Sequence, residues 1–242
     1  MSTPDPVPDP YANMRWNTPL SEEHATLLLD RLDASHGRTW LDLGCGWGEL
    51  LVRAVSAGPA DATGRGVDLD ERLLERGRSQ AVEGGLADRV TFDAGSAAEV
   101  ETGADRVLCI GSSHTLGGTR QMLYTLRDRV SPGGRVLVGD ACWERPPNAE
   151  ALEIFGDEVL SLVEVVEHAR LAGWRVLHLS TADQREWDDF ESTWRAARQE
   201  WLLAKPHHDD AAGVRDQLDT QLRDYVGSYR GVLGFAYLVL AR

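Results

Sequence analysis

Trp40-Leu41-Asp42-Leu43-Gly44-Cys45-Gly46-Trp47-Gly48-Glu49 is a short apolar run that passes through three glycines into the start of a helix. Glycine allows the sharp turn and lets a ligand approach the backbone with no Cβ in the way. A dinucleotide fingerprint spaces its glycines G-x-G-x-x-G, and its third glycine would fall on Glu49, an anion where a pyrophosphate should sit. The loop formed by Gly44, Gly46 and Gly48 therefore disfavours NAD and suits a cofactor without phosphates. Twenty residues after Gly48, Asp68 ends a second apolar run. An acid at that point accepts hydrogen bonds from both ribose hydroxyls of a nucleoside. Leu69, next in line, offers an apolar face to an adenine.

Outward from this loop, short apolar runs alternate with helical stretches. The runs are 40–43, 66–69, 89–92, 106–110 and 135–138, and the intervening helices are expected at about 48–57, 70–83, 118–130 and 148–172. This alternation indicates βαβ units and a parallel sheet with helices on both faces. Ser131-Pro132-Gly133-Gly134 reads as a turn ahead of the fifth strand. Two more strands are expected at 175–180 and 233–240. About 50 residues separate them, too many for a bare loop. Trp187, Phe190, Trp194 and Trp201 share one helical face there, and Val214, Leu218, Leu222 and Tyr225 share another, so two amphipathic helices are inserted before the last strand. Ahead of the first strand, Thr18 or Ser21 caps a helix, with Pro19 in its first turn and Glu22 and Glu23 favoured by the helix dipole.

Composition bounds the function. Of 242 residues, 39 are acidic and 25 basic, a net charge of −14, which repels nucleic-acid phosphates and anionic lipid surfaces. No run approaches the ~20 apolar residues of a membrane helix. MSTPDPVPDP has no basic or apolar region of a signal peptide and reads as a mobile tail over residues 1–10. A soluble, cytoplasmic protein is expected. Cys45, Cys109 and Cys142 have neither C-x-x-C spacing nor an even count, so neither disulfide framework nor zinc site is expected. Lys205 is the only lysine, a coding bias without mechanistic content.

With these residues in this order, the chain resembles the class I S-adenosylmethionine-dependent methyltransferases over about residues 38–180 and the last strand. The stretch from Leu41 to Gly48 looks like the family's first motif, which implies that Asp42, Gly44, Cys45, Gly46 and Gly48 hold the amino acid end of the cofactor. Gly66-Val67-Asp68-Leu69 looks like the second, with the acid on the ribose. The stretch from Val90 to Ala97 is similar to the segment beside adenine, implying contacts from Gly95, Ser96 and Ala97. Here the family's usual aspartate is Ser96, whose hydroxyl can still accept from the adenine amino group. Asp105 to His114 matches the fourth strand and its exit, bringing Ile110 and Gly111 to the cofactor where donor and acceptor meet. The resemblance implies a Rossmann-like, seven-stranded, mostly parallel sheet with helices on both faces, its last strand antiparallel, and the helical insertion just before that strand.

The exit of the fourth strand lacks the Asn/Asp-Pro-Pro-aromatic turn that family members use on planar nitrogens, and no Pro-Cys pair serves pyrimidine carbons. A small-molecule acceptor is expected, with no nucleic acid and no membrane partner, on a monomer or homodimer. Tyr11, Met14, Arg15 and Trp16 are expected over the cofactor mouth. Tyr11, Trp16, Ser113, His114, Trp143 and Glu144 are the candidate acceptor contacts, Glu144 for a cationic acceptor. His114 is the one titratable side chain that the spacing delivers to the fourth-strand exit. Imidazole titrates near neutrality, which suits it to take a proton from a hydroxyl or ammonium acceptor. The alternative is a histidine that only caps a turn or bonds the cofactor. His207 and His208 sit at a polar joint, and no metal is expected.

The expected organisation is a tail and cap helix over 1–37, a cofactor-binding core over 38–181, a lid-forming insertion over 182–230 and the last strand over 231–242. The expected reaction moves a methyl group from S-adenosylmethionine to N, O or C of a metabolite. The rivals are cyclisation of the cofactor, transfer of its aminocarboxypropyl group, and a catalytically silent binding module.

Overall fold

The computed structural model describes residues 6–242. Seven strands form one sheet: β1 (Thr39–Leu43), β2 (Thr63–Asp68), β3 (Val90–Ala94), β4 (Ala104–Ile110), β5 (Val130–Trp143), β6 (Arg175–Thr181) and β7 (Leu233–Ala241), in the order β3-β2-β1-β4-β5-β7-β6. β3, β2, β1, β4 and β5 run parallel, and β7 lies antiparallel between β5 and β6. The order reverses between β1 and β4, and open α/β sheets bind ligands outside the carboxyl ends of the strands at such a point.

All seven apolar runs are strands, but β5 is far longer than 135–138. β7 pairs with it residue for residue from Arg135↔Ala241 to Trp143↔Leu233. The expected turn at Ser131–Gly134 lies inside β5. Its register against β4 jumps there, from Ala104↔Val130 to Arg106↔Arg135, and Gly133 takes a φ of +79°. The stretch is a bulge rather than a turn before the strand.

Ser21, not Thr18, caps α1 (Glu22–Arg31), accepting from the His24 N–H at 3.2 Å, so Pro19 stays ahead of the helix. α2 (Glu49–Ala57) begins at the glycine loop, and α3 (Glu71–Glu83) begins at Asp70, which accepts from the Arg72 N–H. The helix expected over 118–130 is shorter, α4 (Thr119–Thr125) followed by one tight turn. The single helix expected over 148–172 is two, α5 (Ala149–Phe155) and α6 (Leu162–Leu171). Gly156, at a φ of +76°, ends the first, and a reciprocal Ser161/Glu164 capping box starts the second.

The insertion consists of α7 (Gln184–Ala204) and α8 (Ala211–Asp224), followed by a wide turn over Tyr225–Tyr229. Trp187 packs on the main core with Tyr225, Tyr229 and Phe235, while Trp201 joins Leu202, Val214 and Leu218 in a small core between the two helices. The Trp stripe thus packs its helix down, whereas Leu222 is exposed and drops out of the second stripe. His208 lays its ring edge against Trp201. The expected free tail is docked from Val7 on: Val7 packs against the small core and the Pro8 carbonyl accepts from Arg198. Residues 1–5 of that tail lie outside the described residues.

Candidate active site

At the carboxyl ends of β1, β2 and β4 lies a cavity of about 340 Å³. The glycine loop forms its floor. Gly44, Gly46 and Gly48 all have φ between +56° and +70°, a region that side chains rarely adopt. A Cβ on Gly44 would collide with Ser112, and one on Gly48 with the Phe92 ring, while the space beside Gly46 is open. The loop is fixed from beneath: the Gly44 and Cys45 N–H groups donate to the Val67 carbonyl, and the Ser112 hydroxyl donates to that of Leu43 at 2.7 Å. Burial pushes the Cys45 thiol far above its ordinary pKa, so its sulfur is an inert wall here.

Carboxylates dominate the charged part of the lining, with Asp42, Glu49, Asp68 and Asp70 against Arg15. Asp68 accepts from the Gly46 N–H at 2.8 Å with one oxygen and from the Asp70 N–H at 3.0 Å with the other, which aims it across the loop. Asp42 is buried, 6% exposed, and its pKa rises to about 8, mainly by desolvation and then by the charge of Asp68. Glu49 also lines the cavity, paired with Arg53 at 2.7 Å. A cationic cofactor without phosphates fits this lining, and a pyrophosphate does not.

The chain ahead of α1 forms a strap across the mouth, where Arg15, Trp16, Asn17 and Thr18 line the cavity. The Trp47 indole N–H donates to the Arg15 carbonyl at 2.9 Å, and Arg76 donates to the carbonyls of Tyr11 and Met14. The Arg53 guanidinium covers the Trp16 ring, 4.5 Å from its centre. Arg76 and Trp47 were not singled out by sequence. Trp47 carried a signal, a large aromatic at a variable position of the glycine loop, but nothing local marks Arg76.

The far wall comes from the β4 exit: Ile110, Gly111, Ser112, His114 and Thr115. The Thr18 methyl and the Phe235 ring both stand within 4 Å of where a Cβ on Gly111 would lie. His114 is exposed in a single tight turn and its ring has no hydrogen-bond partner among the described residues.

Of the residues expected at the site, the fold brings Asp42, Gly44, Cys45, Gly46, Gly48, Asp68, Leu69, Gly95, Ala97, Ile110, Gly111, Trp16 and His114 to this cavity. It leaves out five. The Ser96 hydroxyl accepts from the Ala98 N–H and caps its own turn. Ser113 yields its place to Ser112 and Thr115. Tyr11 packs its ring toward Trp47 and serves through its carbonyl. Trp143 is buried against Phe155, and Glu144 packs over Gly234, because β5 stays paired to β7 past the cavity.

Residues 41–136 match a family model described as a methyltransferase domain. The chain is 30% identical to the YjhP protein of Escherichia coli (strain K12) over 233 residues, 93% of each chain. A methyltransferase from Geobacter sulfurreducens, solved with S-adenosyl-L-homocysteine, superposes with a TM-score of 0.86 at 28% identity over 96% of both chains. The 27-O-demethylrifamycin SV methyltransferase of Amycolatopsis mediterranei (strain S699) is 30% identical over 167 residues, 63% of this chain and 61% of that protein. With the sheet order, the acid-lined glycine cradle and a relative that matches along nearly its whole length, this chain belongs to the class I methyltransferases, enzymes that draw their methyl group from S-adenosylmethionine.

Proposed function

We propose that the enzyme methylates a small molecule at N, O or C, acting in the cytoplasm as a monomer or homodimer, without nucleic acid or membrane. One observation carries this reading. The strap crosses the cavity mouth beside the β4 exit, where Trp16, Thr18 and His114 line one space with the glycine loop, of a size for small molecules. The acid lining repels phosphates. The likeness to an enzyme named 27-O-demethylrifamycin SV methyltransferase supports a small-molecule acceptor rather than a polymer.

The bound cofactor supplies an electrophilic methyl carbon on a sulfonium. In this reading Asp68 holds the ribose while the Gly46 N–H fixes the Asp68 carboxylate, and Asp42 faces the amino acid end. Leu69 and Ala97 flank the adenine. Displacement at a sulfonium needs nucleophile, methyl and sulfur in line, so orientation provides most of the acceleration. The wall of Thr18, Ile110 and Gly111 sets that line. His114 takes the proton that a hydroxyl or ammonium acceptor must lose.

Incubation with S-adenosylmethionine and metabolite extracts tests the proposal. S-adenosylhomocysteine should form together with a methylated small molecule. Methylthioadenosine instead would mean cyclisation or aminocarboxypropyl transfer, and no product with any extract would mean a silent binder.

A further inference from the structure

A second, smaller hollow of about 130 Å³ lies between the strap and α7. It shares Arg15, Trp16 and Thr18 with the cofactor cavity, so these three residues form the boundary between the two spaces. On the strap side its wall is Met14, and on the α7 side Glu186, Asp189 and Phe190. Both walls thus offer polarisable surface, a thioether and two aromatic rings, beside two carboxylates.

The charges of the lining are uneven. Arg15 is its one cation, and its guanidinium is paired with Glu22 at 3.0 Å. Glu186 is buried and held by the His24 ring and by the N–H groups of Ser21 and Asp183. Asp189 is exposed and has no hydrogen-bond or ion-pair partner among the described residues. A cation meets the aromatic side chains of Trp16 and Phe190 and an unpaired carboxylate here, an environment that favours ammonium groups over neutral ones. An anion meets two carboxylates against a single guanidinium that Glu22 already pairs.

Resting on the methyl-transfer reading, we infer that this hollow is the acceptor subsite and takes a small organic cation, an ammonium group seated against Phe190 and Asp189 with the nucleophile turned past Thr18. The partition explains the division of labour. The cofactor side carries the glycine cradle, and α7, absent from that cradle, selects what reaches it.

The test uses the full chain saturated with S-adenosylhomocysteine, titrated with choline and with 3,3-dimethylbutan-1-ol, its neutral isostere. Choline should bind about tenfold more tightly than the alcohol, the size expected of a cation–π contact together with one exposed carboxylate. Asp189→Asn and Phe190→Ala should each weaken choline about three- to tenfold while S-adenosylhomocysteine affinity stays within about twofold. Asp189 is exposed, so its replacement keeps the test valid if Phe190→Ala fails to fold. Equal binding of the two probes, no saturable choline binding, or choline binding indifferent to Asp189→Asn overturns the subsite. Should S-adenosylhomocysteine form from an extract while choline fails, methyl transfer stands and the cation subsite falls. Selective choline binding without turnover on any extract supports a cation site and overturns methyl transfer.

Discussion

The Arg76 guanidinium lies 4.1 Å from the centre of the Trp47 ring while donating to the carbonyls of Tyr11 (3.0 Å) and Met14 (2.5 Å). It has no carboxylate partner among the described residues, and burial pulls its pKa below the ordinary arginine value. A cation is kept half-buried here by a ring and two carbonyls, and both carbonyls belong to the strap. The glycine loop, α3 and the strap are therefore one mechanical unit, with closure of the mouth tied to the residue next to Gly46 and Gly48.

Removing that clip should open the mouth. Arg76→Ala loses the cation–π contact and two charge-assisted hydrogen bonds, so cofactor affinity should fall about tenfold and kcat/KM for the acceptor further. Limited proteolysis near Arg15 should accelerate, and Arg76→Lys should restore only part of the protection because an ammonium lacks the planar fork. Unchanged proteolysis in Arg76→Ala would show that Trp47 alone holds the strap.

Asp42 is expected to couple cofactor binding to pH. Its folded pKa of about 8 stands far above the ordinary ~3.9, with burial the larger cause and Asp68 the second. The folded protein holds this proton where the unfolded chain has lost it, so stability is full below about pH 4 and declines as pH rises toward 8. Asp42→Asn removes the penalty and should stabilise the ligand-free protein by on the order of 1–3 kcal/mol at pH 8, read from urea midpoints. A cationic amino group beside Asp42 favours the ionised form, so cofactor binding should release protons at pH 7 and tighten between pH 6 and 8. The variant should bind more weakly and lose that dependence. Calorimetry in buffers of different ionisation enthalpy checks the proton release.

Glu186 acts in the opposite sense. Burial raises its pKa, but hydrogen bonds from His24, Ser21 and Asp183 outweigh this and bring it down to about 2. A lowered folded pKa contributes stability above the unfolded value near 4.3, lost as pH falls through 2. Glu186→Gln should therefore destabilise the protein by about 1–3 kcal/mol at pH 7 and flatten its acid unfolding between pH 5 and 2. Because Glu186 ties α7 to α1, hydrogen exchange should speed up across 183–204. Parent-like acid unfolding in the variant would remove Glu186 from that role.

These particular residues explain why some of the site could be read from sequence and some could not. Gly44, Gly46, Gly48 and Asp68 were legible because the chemistry is local: a tight turn needs glycine, and the acid follows one strand on. The sheet was legible because each strand is an apolar run bounded by glycine or a turn. Trp143 and Glu144 were misplaced because the pairing of β5 with β7 is set by residues nearly a hundred positions away. Ser96 falls outside the cavity lining because a serine hydroxyl at a turn competes for the nearest backbone N–H, and here it accepts from Ala98. The break at Gly156 was hidden by apolar residues at helical spacing on both sides of it. Arg76 was invisible because its partners, Tyr11, Met14 and Trp47, come together only in the folded chain.

His114 separates orientation from proton transfer. It is among the residues that line the cavity at the β4 exit, and its ring makes no hydrogen bond to the described residues, which leaves it free to meet an acceptor. General-base assistance is worth about 10²–10⁴-fold. If the acceptor loses its proton in the transfer step, His114→Ala should lower kcat at least about a hundredfold, with cofactor affinity within a few-fold. His114→Gln keeps the bulk and a hydrogen bond but cannot take the proton, so it should fail as Ala does, and the rise of turnover with pH should vanish in both. A residue that only shaped the wall would be rescued by Gln and would keep the parent's pH profile. Turnover in both variants within about threefold of the parent would leave alignment by Thr18, Ile110 and Gly111 as the whole source of rate, the outcome expected for a carbon or already neutral amine acceptor.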